Sequence, residues 1–198
     1  TGLKELDRSH IFVFADDNQN LYKTSHNLSK ILECNPLTLT KNVRNTDKIF
    51  SFSKNFYSGI TNSSYEFDGP QIRYEALDNN FPGKGLLKLL VKLKEFDGIP
   101  WKDIAVLSMN SREKSKVYQD IFALSVEAGD EQIDNKFIFD SVWRFKGLEN
   151  KVAVIIDIDG NAENPALQYV AASRARTLLI YCGPKEYSSR FESLIGHS

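Results

Sequence analysis

The chain has 198 residues, 41% of them hydrophobic and 26% charged, and its 25 basic residues against 26 acidic ones leave a formal net charge of −1. That composition excludes disorder as a description of the whole, and the length suits one α/β domain or two small ones. No apolar run approaches the roughly 18 to 20 residues that cross a bilayer, and the opening TGLKELDRSH lacks the apolar core of a secretory signal, so the expectation is an aqueous, cytoplasmic setting with no membrane partner.

Charge this balanced leaves any nucleic-acid binding to a local site. Cys34 and Cys182 lie far apart, which fits reduced thiols, and His10, His26 and His197 are equally scattered. No metal site is expected from so few ligands.

Along the chain, Ile11 to Ala15 (IFVFA) is a short continuous apolar run, read as a strand covered on both faces, and it stops at the polar turn Asp16-Asp17-Asn18-Gln19. A second strand is predicted at Leu37 to Thr40. The cluster Asn45-Thr46-Asp47 offers capping side chains, and Ile49, Phe52, Ser53 and Phe56 at spacings of three and four predict a helix to about Tyr57. Residues 58–70 read as a loop and Gln71 to Leu77 as a strand.

Phe81-Pro82-Gly83 opens a predicted helix, with Leu86, Leu87, Leu90, Val91 and Leu93 on one side and Lys84, Lys88, Lys92 and Lys94 largely on the other. Strands are expected at Ile104 to Leu107, Phe137 to Val142, Val152 to Ile158 and Leu178 to Cys182. Helices are expected from Arg112 to Val126 and from Pro165 to about Arg176. This alternation points to an α/β fold, a mostly parallel sheet with helices on both faces. Ligands of such sheets sit outside the carboxyl ends of strands, so chemistry is sought in the segments that follow them.

Four segments qualify. In Asp16-Asp17-Asn18-Gln19-Asn20-Leu21-Tyr22, an amide at a strand end can meet a phosphate or orient a water, and an exposed Tyr can stack on a base; on spacing alone, a plain polar turn closing the strand fits better. In Lys41-Asn42-Val43-Arg44-Asn45, an arginine just before a helix start can hold an anion. In the segment from Phe139 to Glu149 (FDSVWRFKGLE), Gly147 permits close backbone approach, Lys146 and Ser141 can meet a phosphate, and Glu149 can accept from a ribose hydroxyl. Trp143 and Phe145 are either core residues on one strand face or functional ones.

The fourth segment runs from Leu167 to Arg176 (LQYVAASRAR). On a continuous helix Arg174 shares the stripe of Leu167, Val170 and Ala171, which calls for an anionic partner, either a ligand or a core-edge carboxylate. Arg176 then falls roughly 200° around, so the two could not easily serve one phosphate. Pro82-Gly83-Lys84-Gly85 contains glycine and lysine but lacks the GxxxxGK(S/T) spacing of a phosphate-binding loop, and no other segment supplies it.

Taken together and in this order, the four segments resemble motifs III, IV, V and VI of the UvrD/Rep-like superfamily 1 helicases. DDNQNLY is similar to GDxxQxIY, KNVRN to NYRS, RFKGLE to the KGLE segment, and YVAASRAR to YVALTRA(K/R). Ala15 stands in place of the motif III glycine, Val43 in place of the aromatic of NYR, and Trp143 where many relatives have His. With about a hundred residues between Arg44 and Lys146, a compact variant without the large accessory insertion is implied.

The resemblance implies a second RecA-like motor domain over 36–198, preceded at 1–35 by the end of a first one. It implies that Gln19 senses the γ-phosphate, that Arg44 and Arg174 act as arginine fingers, and that Lys146, Gly147 and Glu149 contact nucleotide, Glu149 holding the ribose. Tyr22, Ser141 and Trp143 would face single-stranded DNA. Motifs I and II, which hold ATP and Mg²⁺, are absent, so by this reading the chain supplies part of an ATP-dependent DNA helicase and is inert as an ATPase alone, needing a missing N-terminal RecA-like domain. The other reading is a non-catalytic module that binds nucleic acid or protein.

Overall fold

The computed structural model describes residues 13, 31, 33, 35, 37, 39–56, 63–64, 67–123, 128–129, 136–161 and 163–196. The expected strand at Ile11 to Ala15, and Gln19 and Tyr22 beyond it, fall outside these residues apart from Val13.

Six strands form one sheet in the order β3-β8-β7-β4-β6-β5, every neighbouring pair parallel: β3 (Arg73–Leu77), β4 (Ile104–Ser108), β5 (Ala128–Gly129), β6 (Phe137–Ser141), β7 (Asn150–Ile156) and β8 (Ala175–Pro184). Two short strands, β1 (Lys41–Asn42) and β2 (Ser63–Ser64), pair separately, also in parallel. The helices whose two ends lie among the described residues are α1 (Asp47–Lys54), α2 (Pro82–Glu95), α3 (Lys116–Ala123), α4 (Pro165–Ala172) and α5 (Ser188–Gly196). The parallel α/β architecture expected from the alternation is therefore present.

Both faces of the sheet are covered, as its apolar strands require. All five residues of β4 are buried, and they alternate between two cores: Ala105 and Leu107 pack with residues of α1, α4 and α5, while Ile104 and Val106 pack with those of α2 and α3. The same period of two divides Ala153 and Ile155 from Val152, Val154 and Ile156 on β7. On β8, Gly183 lies against Ile158, so closely that a Cβ there would stand 2.8 Å from that side chain.

Several boundaries differ from the sequence reading. The strand expected at Leu37 to Thr40 is instead the two residues Lys41–Asn42. On α2 the buried stripe is Leu86, Leu89, Leu90 and Leu93, with Leu87 only partly buried and Val91 exposed, because the helix turns its 3-4 repeat onto α3 rather than the wider arc the leucines allow. Helix α3 starts only at Lys116, after a short 3-10 turn at Arg112–Lys114.

The largest difference concerns α4. It begins where Asn164 caps the Leu167 amide with Pro165 in the first turn, but it ends at Ala172, and Ala175 already belongs to β8. Arg176 is thus a strand residue, and the helical angle separating it from Arg174 does not apply. Ala175 pairs with Asn150 of β7 and the Arg176 carbonyl accepts from the Thr46 amide, which outweighs the helix propensity of an alanine- and arginine-rich segment.

Candidate functional site

Three segments far apart in the chain meet at the amino edge of β7 and β8. The amide of Asn150 donates to the Arg174 carbonyl at 3.0 Å, and the amide of Thr46 donates to the Arg176 carbonyl at 3.1 Å. Asn45 is buried between them, its Nδ2 donating to the carbonyls of Ala175 (2.5 Å) and Ser173 (3.3 Å). The expected capping role of Asn45-Thr46-Asp47 is therefore only partly taken up: Thr46 occupies the N-cap position of α1 without a side-chain cap bond, and Asn45 joins the loop to β8 instead. Nothing in the sequence marked Asn45 for this, since its two acceptors lie about 130 residues downstream.

That stitching sets Arg44 beside Glu149. The Arg44 backbone is held by the Asn42 side chain, whose Oδ1 accepts from the Arg44 amide at 3.1 Å. Its Nε lies 3.0 Å from one oxygen of Glu149, and Nε of Arg176 lies 3.6 Å from the other oxygen. All three side chains are partly open to solvent, at 46% for Arg44, 39% for Glu149 and 54% for Arg176. Exposed ion pairs of this kind contribute about 0–1 kcal/mol, so solvent or a ligand can replace them at little cost.

Arg174 sits in the same neighbourhood but in a different environment. It is 2% exposed and is the largest of the fully buried side chains. Its Nε donates to the Val170 carbonyl, Nη1 to the Leu148 carbonyl and Nη2 to Ser173 Oγ, each at 2.9 Å. It thereby shares the Val170 carbonyl near the end of α4 with Ser173 Oγ and ties α4 to the loop immediately before Glu149. The partner expected for a buried guanidinium includes backbone oxygens, not only a carboxylate or a ligand.

The segment 142–149 carries the chain from the carboxyl end of β6 to the amino end of β7, passing β4 on the face of α1, α4 and α5. Val142 and Phe145 are buried in that core and Trp143 packs against it half-buried. Gly147, at φ 87°, adopts a backbone conformation in which a Cβ would meet nothing within 4 Å, so glycine serves the turn here rather than tight packing. Lys146 and Gly147 are exposed on that turn.

Ser141 and Trp143 lie at the opposite edge from Glu149. Ser141 is in register with Ser108, and Ser108 with Ile156, whereas Glu149 precedes Asn150 at the start of β7. Six residue steps of β7 at about 3.3 Å each separate the two edges by roughly 20 Å. Ser141 is buried and its Oγ accepts from the Arg144 amide at 3.3 Å. Next to it the buried Asp140 draws in Arg112 at 3.7 Å and Arg144 at 3.6 Å.

Beside these residues the carboxyl edge carries a polar network the sequence reading did not single out. Asp157, at φ 54°, accepts from Ser108 Oγ at 2.6 Å, and Asn161 Nδ2 reaches the Met109 carbonyl and Asn110 Oδ1. Burial pushes the Asp157 carboxyl up from its ordinary value, against the lowering pull of the Ser108 and Ser115 hydroxyls. An Asp directly after an apolar strand was the available signal, since Asp tolerates a left-handed turn.

Among the described residues no group of three or more His, Cys, Asp or Glu side chains could hold a metal ion, and no helix is long and apolar enough to cross a membrane. Cys182 is a buried free thiol.

No family model matches this chain, and no curated protein does. Among solved structures, it is similar to the C-terminal domain of a possible DNA helicase from Lactobacillus plantarum WCFS1, with a TM-score of 0.55 and 16% identity over 71% of this chain and 86% of that one. The fold is thus α/β, a parallel sheet flanked by helices, and it is shared with that domain.

Proposed function

We propose that this chain is the second RecA-like motor domain of an ATP-dependent DNA helicase of the UvrD/Rep-like superfamily 1, working with a first motor domain to couple ATP hydrolysis to movement along single-stranded DNA. The observation that carries the reading is the convergence of the segments resembling motifs IV, V and VI on one sheet edge, where Arg44 and Glu149 stand 3.0 Å apart and open to solvent. The fold shared with the C-terminal domain of a possible DNA helicase supports it further.

In this reading the amino edge of β7 and β8 faces nucleotide. ATP, with Mg²⁺ held by the acidic pair of the first domain, supplies the phosphoryl-transfer chemistry. Arg44 would offer its guanidinium to phosphate oxygens as negative charge develops, and Glu149 would accept from a ribose hydroxyl, with Lys146 and Gly147 on the adjoining turn. Ser141 and Trp143, with Tyr22, would serve the DNA side. The residues 142–149 then run between the two edges, a continuous stretch of chain from the DNA side to the nucleotide side.

The test joins this chain to the first motor domain encoded upstream and measures single-strand-stimulated ATP hydrolysis. The joined protein is expected to turn over ATP, the chain alone is not, and Arg44→Ala is expected to lower turnover by about 10³-fold or more. Undiminished turnover in the Arg44→Ala protein overturns the assignment. So does a coding region upstream with neither GxxxxGK(S/T) nor an acidic pair, which favours the non-catalytic binding module.

A further inference from the structure

We propose that the outward face of α2 is a docking surface for an acidic amphipathic helix of a partner protein, held by Lys84, Lys88 and Lys92 with Val91 and Phe96 beside them. This face lies on the opposite side of the sheet from α1, α4 and α5, and none of its residues belongs to the Arg44–Glu149–Arg176 cluster. The proposal therefore does not depend on the motor reading.

The charge of the chain is nearly balanced overall but unevenly placed here. Between Asp78 and Glu95 stand four lysines and no acidic residue. Lys84, Lys88 and Lys92 recur every four residues, about 6 Å apart along the axis, and all three are exposed. With Val91 and Glu95 they fall within an arc of about 100° around the helix, while Leu86, Leu89, Leu90 and Leu93 are buried on the other side.

Alone, such a stripe works against its own helix. Lysines four residues apart repel one another, and Lys84 brings positive charge into the first turn, where the helix dipole favours an anion and no acidic residue stands. An acidic partner removes that repulsion. A helix presenting Glu or Asp at the same four-residue period meets the three lysines in register.

Apolar groups on the same face favour protein over nucleic acid. Val91 is exposed among the lysines, and Phe96 at the helix end is 82% exposed. An aliphatic side chain between charges suits the seam of two helices, where lysine stems flank and cover the contact. A base has less to stack on: one side of the Phe81 ring is already covered by Lys84 Nζ, 4.8 Å from its centroid. Helix α2 holds no arginine, the side chain that forks onto phosphate, and it carries Glu95, which repels a phosphate backbone, whereas a partner helix can set a lysine opposite it.

The experiment titrates a synthetic helical peptide of about three heptads, with glutamates at four-residue spacing flanking leucines, into the isotope-labelled 198-residue chain and follows the backbone amides by NMR. Unstructured polyglutamate of equal charge and single-stranded oligothymidylate are titrated in parallel. The helical peptide is expected to bind with a Kd of about 100 µM or tighter, shifting the signals of residues 81–96 and leaving those of Arg44, Glu149 and Arg176 in place. Lys88→Glu should weaken binding about tenfold or more and Val91→Ser about threefold or more. Both positions are exposed, so the rest of each variant's spectrum should match the wild type. No shift at millimolar peptide, wild-type affinity in either variant, or polyglutamate binding as tightly as the helix overturns the proposal. So does tighter binding of oligothymidylate to the same residues, which assigns the face to nucleic acid.

Discussion

At the amino edge of β7 and β8, charged side chains stand half in water and share one carboxylate; at the carboxyl edge, Ser108, Asp157 and Asp140 are drawn inside and bonded to fixed neighbours. Both edges are polar, yet at the first both partners of each ion pair stand partly in water, where an incoming group could displace them cheaply, whereas at the second the shared carboxylate of Asp140 is buried beneath its arginines. The difference teaches that the rule placing ligands at the carboxyl ends of parallel strands did not locate the exposed ionic cluster of this molecule. Glu149 follows β6 in sequence, but the eight residues after Ser141 carry it across to the other edge.

The comparison breaks most severely if Arg174 proves dispensable. Arg174→Ala empties the space of a buried guanidinium and takes the side-chain donor from the Leu148 carbonyl, so unfolding free energy should fall by about 3 kcal/mol or more in a urea titration. An unmoved midpoint would mean that the amino edge has no internal brace. Next in size, Gly183→Ala forces a Cβ against the buried Ile158 at the carboxyl edge and should cost about 1–3 kcal/mol, read the same way.

Asp157→Asn sharpens the picture of the carboxyl edge through its pH dependence. Because burial raises the folded carboxyl above its unfolded value, the native state binds the extra proton in the window between them, and its stability falls as pH rises through that window. The amide variant carries no such penalty and tolerates the positive φ. It should therefore gain on the wild type at neutral pH, with the gap narrowing below the ordinary carboxylate range; a gap independent of pH would deny that Asp157 ionises in a buried site. The smallest effect belongs to Arg176→Ala, whose exposed pair with Glu149 should change stability by less than about 0.5 kcal/mol.

Apolar runs made much of the fold legible. The segments IAVL, VAVII and LLIYC read as covered strands because every residue in them belongs inside, and the lysines of α2 marked its outer side. The site was legible only in part. Arg44 and Glu149 stood out as side chains fit for an anion and a hydroxyl, but their adjacency depends on a crossover and on Asn45 reaching carbonyls on β8, contacts that leave no local pattern. The end of α4 misled for a related reason. The period of Leu167, Val170, Ala171 and Arg174 continues as if helical, while pairing of Ala175 with Asn150 of β7 and the Thr46 amide on the Arg176 carbonyl draw both residues out of the helix.

By itself, then, the order of residues determined the alternation of buried strands and helices, the parallel sheet and the identity of the charged groups, because burial and periodicity act over a few neighbours. Tertiary structure alone decided that Arg44 and Arg176 share Glu149 while Arg174 is sealed against backbone oxygens. Those outcomes depend on which distant segments the sheet brings together, and on whether a guanidinium at the junction finds water or carbonyls around it.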